Sequence, residues 1–63
     1  MDAPEPAGVL VLRVWVEHDG VLKSRITSAV DLAAPESVAA ASSVEQILEI
    51  VRGFVEEFAA AHA

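Results

Sequence analysis

Along the first half of the chain, apolar and polar residues alternate with the period of a strand; along the last third they follow the period of a helix. In residues 8–17 nearly every side chain is β-branched or large and apolar, the composition that suits a pleated, half-buried surface. Successive strand side chains point to opposite faces. Leu10, Leu12, Val14 and Val16 therefore make one unbroken apolar face, and Val9, Val11, Arg13, Trp15 and Glu17 make a mixed one. Residues 21–32 read as a return strand. Leu22, Ile26, Val30 and Leu32 share its core face with the small Ser24 and Ser28, and Lys23, Arg25, Thr27 and Ala29 take the other face.

Asp19-Gly20 between two apolar runs signals a hairpin. Two registers compete. A two-residue turn centred on Asp19-Gly20 sets Val16 beside Lys23 and Val14 beside Arg25, which places cations on the apolar face. A three-residue loop, His18-Asp19-Gly20 with Gly20 left-handed, pairs Glu17 with Val21, Val16 with Leu22 and Leu12 with Ile26. A slip of one residue exchanges the faces, so the apolar pattern selects the three-residue loop.

Ala33-Ala34-Pro35-Glu36 reads as a turn or loop. Ser37–Ala41 is built of small residues and is open to strand, loop or helical turn; the capping serines that follow favour a short extended strand. Ser43-Val44-Glu45-Gln46 matches the capping box, as does Ser42 with Glu45. From there Val44, Ile47, Leu48, Val51, Val55, Phe58 and Ala59 recur at three-and-four spacing, which predicts an amphipathic helix over residues 44–61. Ile50 and Phe54 widen its stripe on one side. Glu45, Glu49, Arg52 and Glu56 take the opposite side, where the carboxylates of Glu49 and Glu56 neutralise Arg52 along the helix. Gly53 weakens the helix centre and suits the close approach of another backbone. The fold class expected is α+β: an antiparallel hairpin with a short third strand, and one long C-terminal amphipathic helix on one sheet face. Residues 1–7, with Pro4 and Pro6, read as a disordered arm, and residues 8–63 as a single β-β-β-α domain.

Composition sharpens this picture. Sixty-three residues are 54% hydrophobic, but many are small Ala and Val. In so short a chain the ordering entropy nearly cancels the hydrophobic gain, and a disulfide, a metal or a partner chain usually supplies the difference. There is no cysteine. His18 and His62 lie far apart without a metal-ligand spacing. Self-association, or assembly on another protein, is the device left. Ten acids against four bases give a net charge of −6, which opposes non-specific nucleic-acid binding. The first residues carry no signal-peptide pattern and no apolar run reaches the length of a membrane span, so a cytoplasmic, bacterial-type protein with no membrane partner is expected.

Candidate chemistry is sparse. His18 beside Asp19 suits a polar turn better than acid–base catalysis, which needs a substrate within hydrogen-bond reach. His62 falls in the last helical turn, where it complements the helix dipole. Ser24 and Ser28 make room for the helix, Gly8, Gly20 and Gly53 form no phosphate loop, and Glu56-Glu57 suit a solvated surface. No catalytic residue, metal, cofactor or small-molecule ligand is expected. The informative feature is a surface. In the chosen register Arg13, Lys23 and Arg25 share a face with Trp15, Val11, Val9 and Thr27, so that three of the chain's four cations stand on one side of one hairpin. Trp and Arg are enriched at binding hot spots, and Trp15, Arg13, Lys23, Arg25 and Val11 are the expected contacts to another protein. A basic ribbon with one stacking aromatic is also the pattern of a nucleic-acid binder, an alternative that the overall acidity weakens. Ile50, Phe54 and Ile47 are the expected contacts of a homodimer, because the helix stripe is wider than a narrow sheet can bury and because bare strand edges invite pairing.

The order strand, Asp19-Gly20 turn, strand, short strand, and helix opening at Ser43-Val44-Glu45 resembles the N-terminal half of HicB-type antitoxins, over about residues 9–60. That resemblance implies a partial RNase-H-like fold and a regulatory, non-enzymatic role. The apolar-Pro-Gly segment that usually ends the second strand of that family is missing; the chain reads Ala29-Val30-Asp31-Leu32 there, and no functional residue carries over. The expectation is a small non-enzymatic interaction module, homodimeric and accessory or regulatory in role.

Overall fold

The hairpin turn sets the register of the first two strands. Gly20 adopts φ +79°, the left-handed conformation that a side chain disfavours. Its N–H donates to the Glu17 carbonyl at 2.9 Å, and the Glu17 N–H donates to the Val21 carbonyl at 3.0 Å. The Asp19 carboxylate accepts the Val21 N–H at 2.9 Å and braces the loop. This is the three-residue loop that the apolar pattern selects, and in the computed structural model, which describes residues 5–62, it pairs strand β1 (Val9–Val16) with strand β2 (Leu22–Ala29) in antiparallel register. Val16 stands opposite Leu22, Val14 opposite Ser24 and Leu12 opposite Ile26; on the reverse face Trp15 stands opposite Lys23 and Arg13 opposite Arg25.

β2 ends at Ala29, earlier than the pattern of apolar residues suggests. The Asp31 carboxylate accepts the Ala33 N–H at 2.9 Å, and the Asp31 carbonyl accepts the Ala34 N–H at 2.9 Å. An aspartate that offers the backbone such local acceptors diverts it into a turn. Val30 is consequently only half-buried, and Leu32, expected in the core, is 72% exposed.

The small-residue segment does form a strand. β3 (Ser37–Ala41) pairs antiparallel with β2, giving the sheet order β1-β2-β3, with Ala39 opposite Ile26 and Ala41 opposite Ser24. The buried Ser24 hydroxyl donates to the Ala41 carbonyl at 2.8 Å. Two serines then keep helix from running back into the strand. Ser43 is an extended N-cap whose hydroxyl accepts the Gln46 N–H at 3.1 Å. The Gln46 side chain returns to the Ser42 N–H at 2.9 Å, one residue earlier than in the usual capping box. Helix α1 (Val44–Ala61) follows. Of the arm expected over residues 1–7, residues 1–4 lie outside the described residues, and residues 5–7 are exposed and belong to no helix or strand.

The core is small. Ile26, at 1% exposure, meets Ala41 and Ile47, at 7% each. Leu10, Leu22, Ile50 and Val51 pack around this cluster. The helix does not lie where its apolar spacing centres it. Ile47, Ile50, Val51, Phe54 and Phe58 are the buried or half-buried positions, whereas Val44, Leu48, Val55 and Ala59 are exposed. The stripe is rotated toward Ile50 and Phe54 for a steric reason. Ser24, Ala39 and Ala41 make a low surface on β2 and β3 onto which the first helical turns settle. At the far end, Gly8 admits the aromatic rings: a Cβ there would stand 3.1 Å from Phe58 Cδ2, 3.2 Å from Phe54 Cζ and 3.0 Å from the Ala29 carbonyl oxygen. Gly8, not Gly53, is the glycine of close approach; nothing lies within 4 Å of a Cβ at Gly53.

The helix thus crosses the sheet diagonally, from the end of β3 to the start of β1. The distal half of β1 is left uncovered. Leu12, Val14 and Val16, expected in the core, are 42%, 53% and 65% exposed. The radius of gyration is 14.1 Å, against about 11 Å for a compact chain of this length.

These contacts separate the two glycines. Gly8→Ala should destabilise the fold by about 1–3 kcal/mol through overpacking, and Gly53→Ala should stabilise it by up to about 1 kcal/mol through helix propensity. Urea unfolding followed by circular dichroism measures both; equal effects at the two positions would contradict the diagonal crossing.

Candidate partner-binding face

The face of the sheet turned away from the helix carries the charged and aromatic residues, because β1 and β2 alternate in phase. Arg13 and Arg25 are directly opposite one another, a like-charge pair that would repel. The strain is eased on one side: the Arg13 guanidinium carbon lies 5.2 Å from the centre of the Trp15 ring, within the range of cation–π attraction. The Trp15 indole N–H donates to Glu17 Oε1 at 3.1 Å. Arg13, Trp15 and Glu17 thus form a ladder along one strand face, with the ring held between a cation and an anion. Trp15 keeps 36% of its surface exposed, Arg13, Arg25 and Val11 are exposed, and Lys23 is half-buried.

The register of β3 extends this face. Val38 stands opposite Thr27 and Ala40 opposite Arg25. Arg13, Trp15, Lys23 and Arg25 together with Val38, Ala40, Ser42 and Gln46 line a shallow, open concavity of about 800 Å³ that reaches the free edge of β3. Sequence reasoning brings the four basic and aromatic residues together but misses Val38, Ala40 and Gln46. The contributions of Val38 and Ala40 follow only from the pairing of a segment whose strand character is ambiguous, and that of Gln46 follows from its side chain folding back to Ser42.

The residues expected to make a homodimer contact lie elsewhere. Ile47 is buried in the chain's own core, which removes it from any surface. Ile50 packs half-buried against that core, and Phe54 is half-buried beside Gly8. The groups with potential chemistry are also dispersed. His18 and Asp19 sit on the exposed hairpin turn, the Asp19 carboxylate being engaged by Val21. The His62 ring rests 4.5 Å from that of Phe58. Among the described residues, no three His, Cys, Asp or Glu side chains are grouped to hold a metal ion, and no helix is long and apolar enough to cross a membrane.

Comparison with known proteins returned no match to a protein family, a curated protein or a solved structure.

The lone tryptophan reports on this face. The ratio of iodide to caesium quenching of Trp15 fluorescence at low salt should exceed that of free tryptophan amide, because the neighbouring cations concentrate anions. Arg13→Glu should lower that ratio. A ratio no higher than that of free tryptophan amide in the unaltered protein would mean that the face has no net basic field.

Proposed function

We propose that this chain is a small, non-enzymatic, cytoplasmic interaction module that self-associates and acts as an accessory or regulatory protein, in the manner of an antitoxin or adaptor. Its partner is another protein that presents an acidic, extended segment to the face of Trp15, Arg13, Lys23, Arg25 and Val11. One observation carries this reading: three of the four cations of a chain of net charge −6 converge with its single tryptophan on a shallow concavity. A concave surface with a half-exposed aromatic anchor and flanking guanidinium groups suits a carboxylate-bearing strand. Aromatic and Arg residues supply most of the binding energy at such surfaces, and Arg pairs bidentately with carboxylates. The concavity also reaches the free edge of β3, where an extended segment finds unpaired backbone groups.

Selection from a displayed random-peptide library tests this. Acidic sequences alternating with apolar residues should be enriched, and Trp15→Ala or Arg25→Glu should each weaken their binding at least tenfold while leaving the circular dichroism unchanged. Enrichment of basic peptides, or tighter binding of a single-stranded oligonucleotide than of any acidic peptide at low salt, would contradict the reading.

A further inference from the structure

The second uncovered surface lies on the other side of the sheet, the side of the helix. Leu12, Val14 and Val16 of β1 are open there. Val44, Leu48 and Val55 of the helix are open as well, and they belong to the same surface. At about 100° per residue, these three lie on one flank of the helix and Gln46 on the other. Gln46 bonds to Ser42 and lines the concavity at β3, so the flank of Leu48 faces β1. Glu45, Glu49 and Arg52 border Leu48 on its solvent side, and between Leu48 and β1 the two rows are apolar.

β1 is also an edge strand. The Glu17 N–H bonds to Val21, and bonding alternates along an antiparallel pair. Trp15 and Arg13 therefore turn their backbone groups toward β2, whereas Leu12, Val14 and Val16 turn theirs outward. An edge that offers both unpaired backbone and exposed aliphatics invites another strand.

We propose that the occupant is a second copy of this chain, paired β1 to β1 in antiparallel fashion about a twofold axis at Val14. This rests on the self-association put forward above and supplies its surface. The strand is self-complementary in this register. Val14 meets Val14 of the second copy, Leu12 meets Val16, and on the reverse face Arg13 meets Trp15, so that each guanidinium gains a second indole face. Neighbouring registers fail by inspection. An axis at Arg13 sets two guanidinium groups opposite one another, which repels. An axis at Leu12 sets Val16, at 65% the most exposed large apolar residue of the strand, against Gly8. An axis at Trp15 sets the exposed Leu12 against the hairpin turn at His18, whereas the axis at Val14 sets there only Leu10, which already packs on its own core. The axis at Val14 also matches the gradient of cover along β1, since Leu10 is already shielded by its own helix. The two sheets join into one of six strands with both helices on one side, and the Leu48 flank of each helix overhangs the joined edge. A twofold, isologous interface is the commonest form of association among soluble proteins.

The chain lacks cysteine, which makes a positional test direct. Sedimentation equilibrium at micromolar concentration should give twice the 6.6 kDa chain mass. Val14→Lys and Leu48→Glu should each give the single-chain mass with the secondary structure retained. Facing residues of a bonded antiparallel pair have Cα atoms about 5.5 Å apart, within disulfide reach. Val14→Cys should therefore oxidise to a covalent dimer at least tenfold faster than Val11→Cys. A single-chain mass for the unaltered protein would overturn both self-association and this interface. A double mass with no preferential cross-linking at Val14, or one that survives Val14→Lys, would overturn the interface and leave self-association standing.

Discussion

The rest of the structure depends on where the helix can come down. Ile26 projects from the central strand between Leu12 and Ala39. Ser24 and Ala41 beside it are small and joined by a buried hydrogen bond. The sheet surface is therefore low over β2 and β3, and Ile47 descends onto Ile26 there instead of between β1 and β2. Close packing rewards this seating, because dispersion contacts are lost as soon as a gap opens. Once the first turns are seated over β2 and β3, a single straight helix can reach β1 only at its far end. Gly8 makes that second contact possible by giving way to Phe54 and Phe58.

The same seating divides the molecule into a closed part and an open part. The closed part is a core of few residues, small even for a chain of this length. The open part is the distal half of β1 with the adjoining helical flank, where Leu12, Val14, Val16, Val44, Leu48 and Val55 are exposed. A short chain without disulfides has little margin of its own. Burial of Leu12, Val14, Val16 and Leu48 against a second copy would add to the same apolar layer that Ile26 and Ile47 begin. The reverse face, with Trp15 between Arg13 and Glu17, stays free in that arrangement for a different partner. In the proposed dimer, stability and recognition fall to opposite faces of the same strand.

Much of this fold was legible in the sequence, for identifiable reasons. Strand and helix periods differ, and the capping serines mark a boundary that small residues alone leave open. The hairpin register follows from the mismatch of Lys23 and Arg25 with Val16 and Val14, and it brings the basic and aromatic residues to one face. Two features escaped. Local hydrogen bonding by Asp31 ends β2 early, and an apolar pattern that continues through Val30 and Leu32 gives no sign of it. The rotation of the helix also escaped, because the spacing of Val44, Leu48, Val51 and Val55 identifies an apolar stripe but not which edge of that stripe finds low ground on the sheet. That answer lies in the sizes of Ser24, Ala39, Ala41 and Gly8, none of which belongs to the helix.

The helix covers β2 and β3 and leaves the outer half of β1 open; in the proposed dimer a second copy closes it. Amide hydrogen exchange measured by NMR at two protein concentrations tests this most directly. The inward amides of Arg13 and Trp15, bonded to β2, should be protected at both concentrations. The outward amides of Leu12, Val14 and Val16 should exchange rapidly in dilute solution and become protected as the concentration rises. Protection of all five amides at every dilution, or free exchange of the outward three at every concentration, would contradict the account.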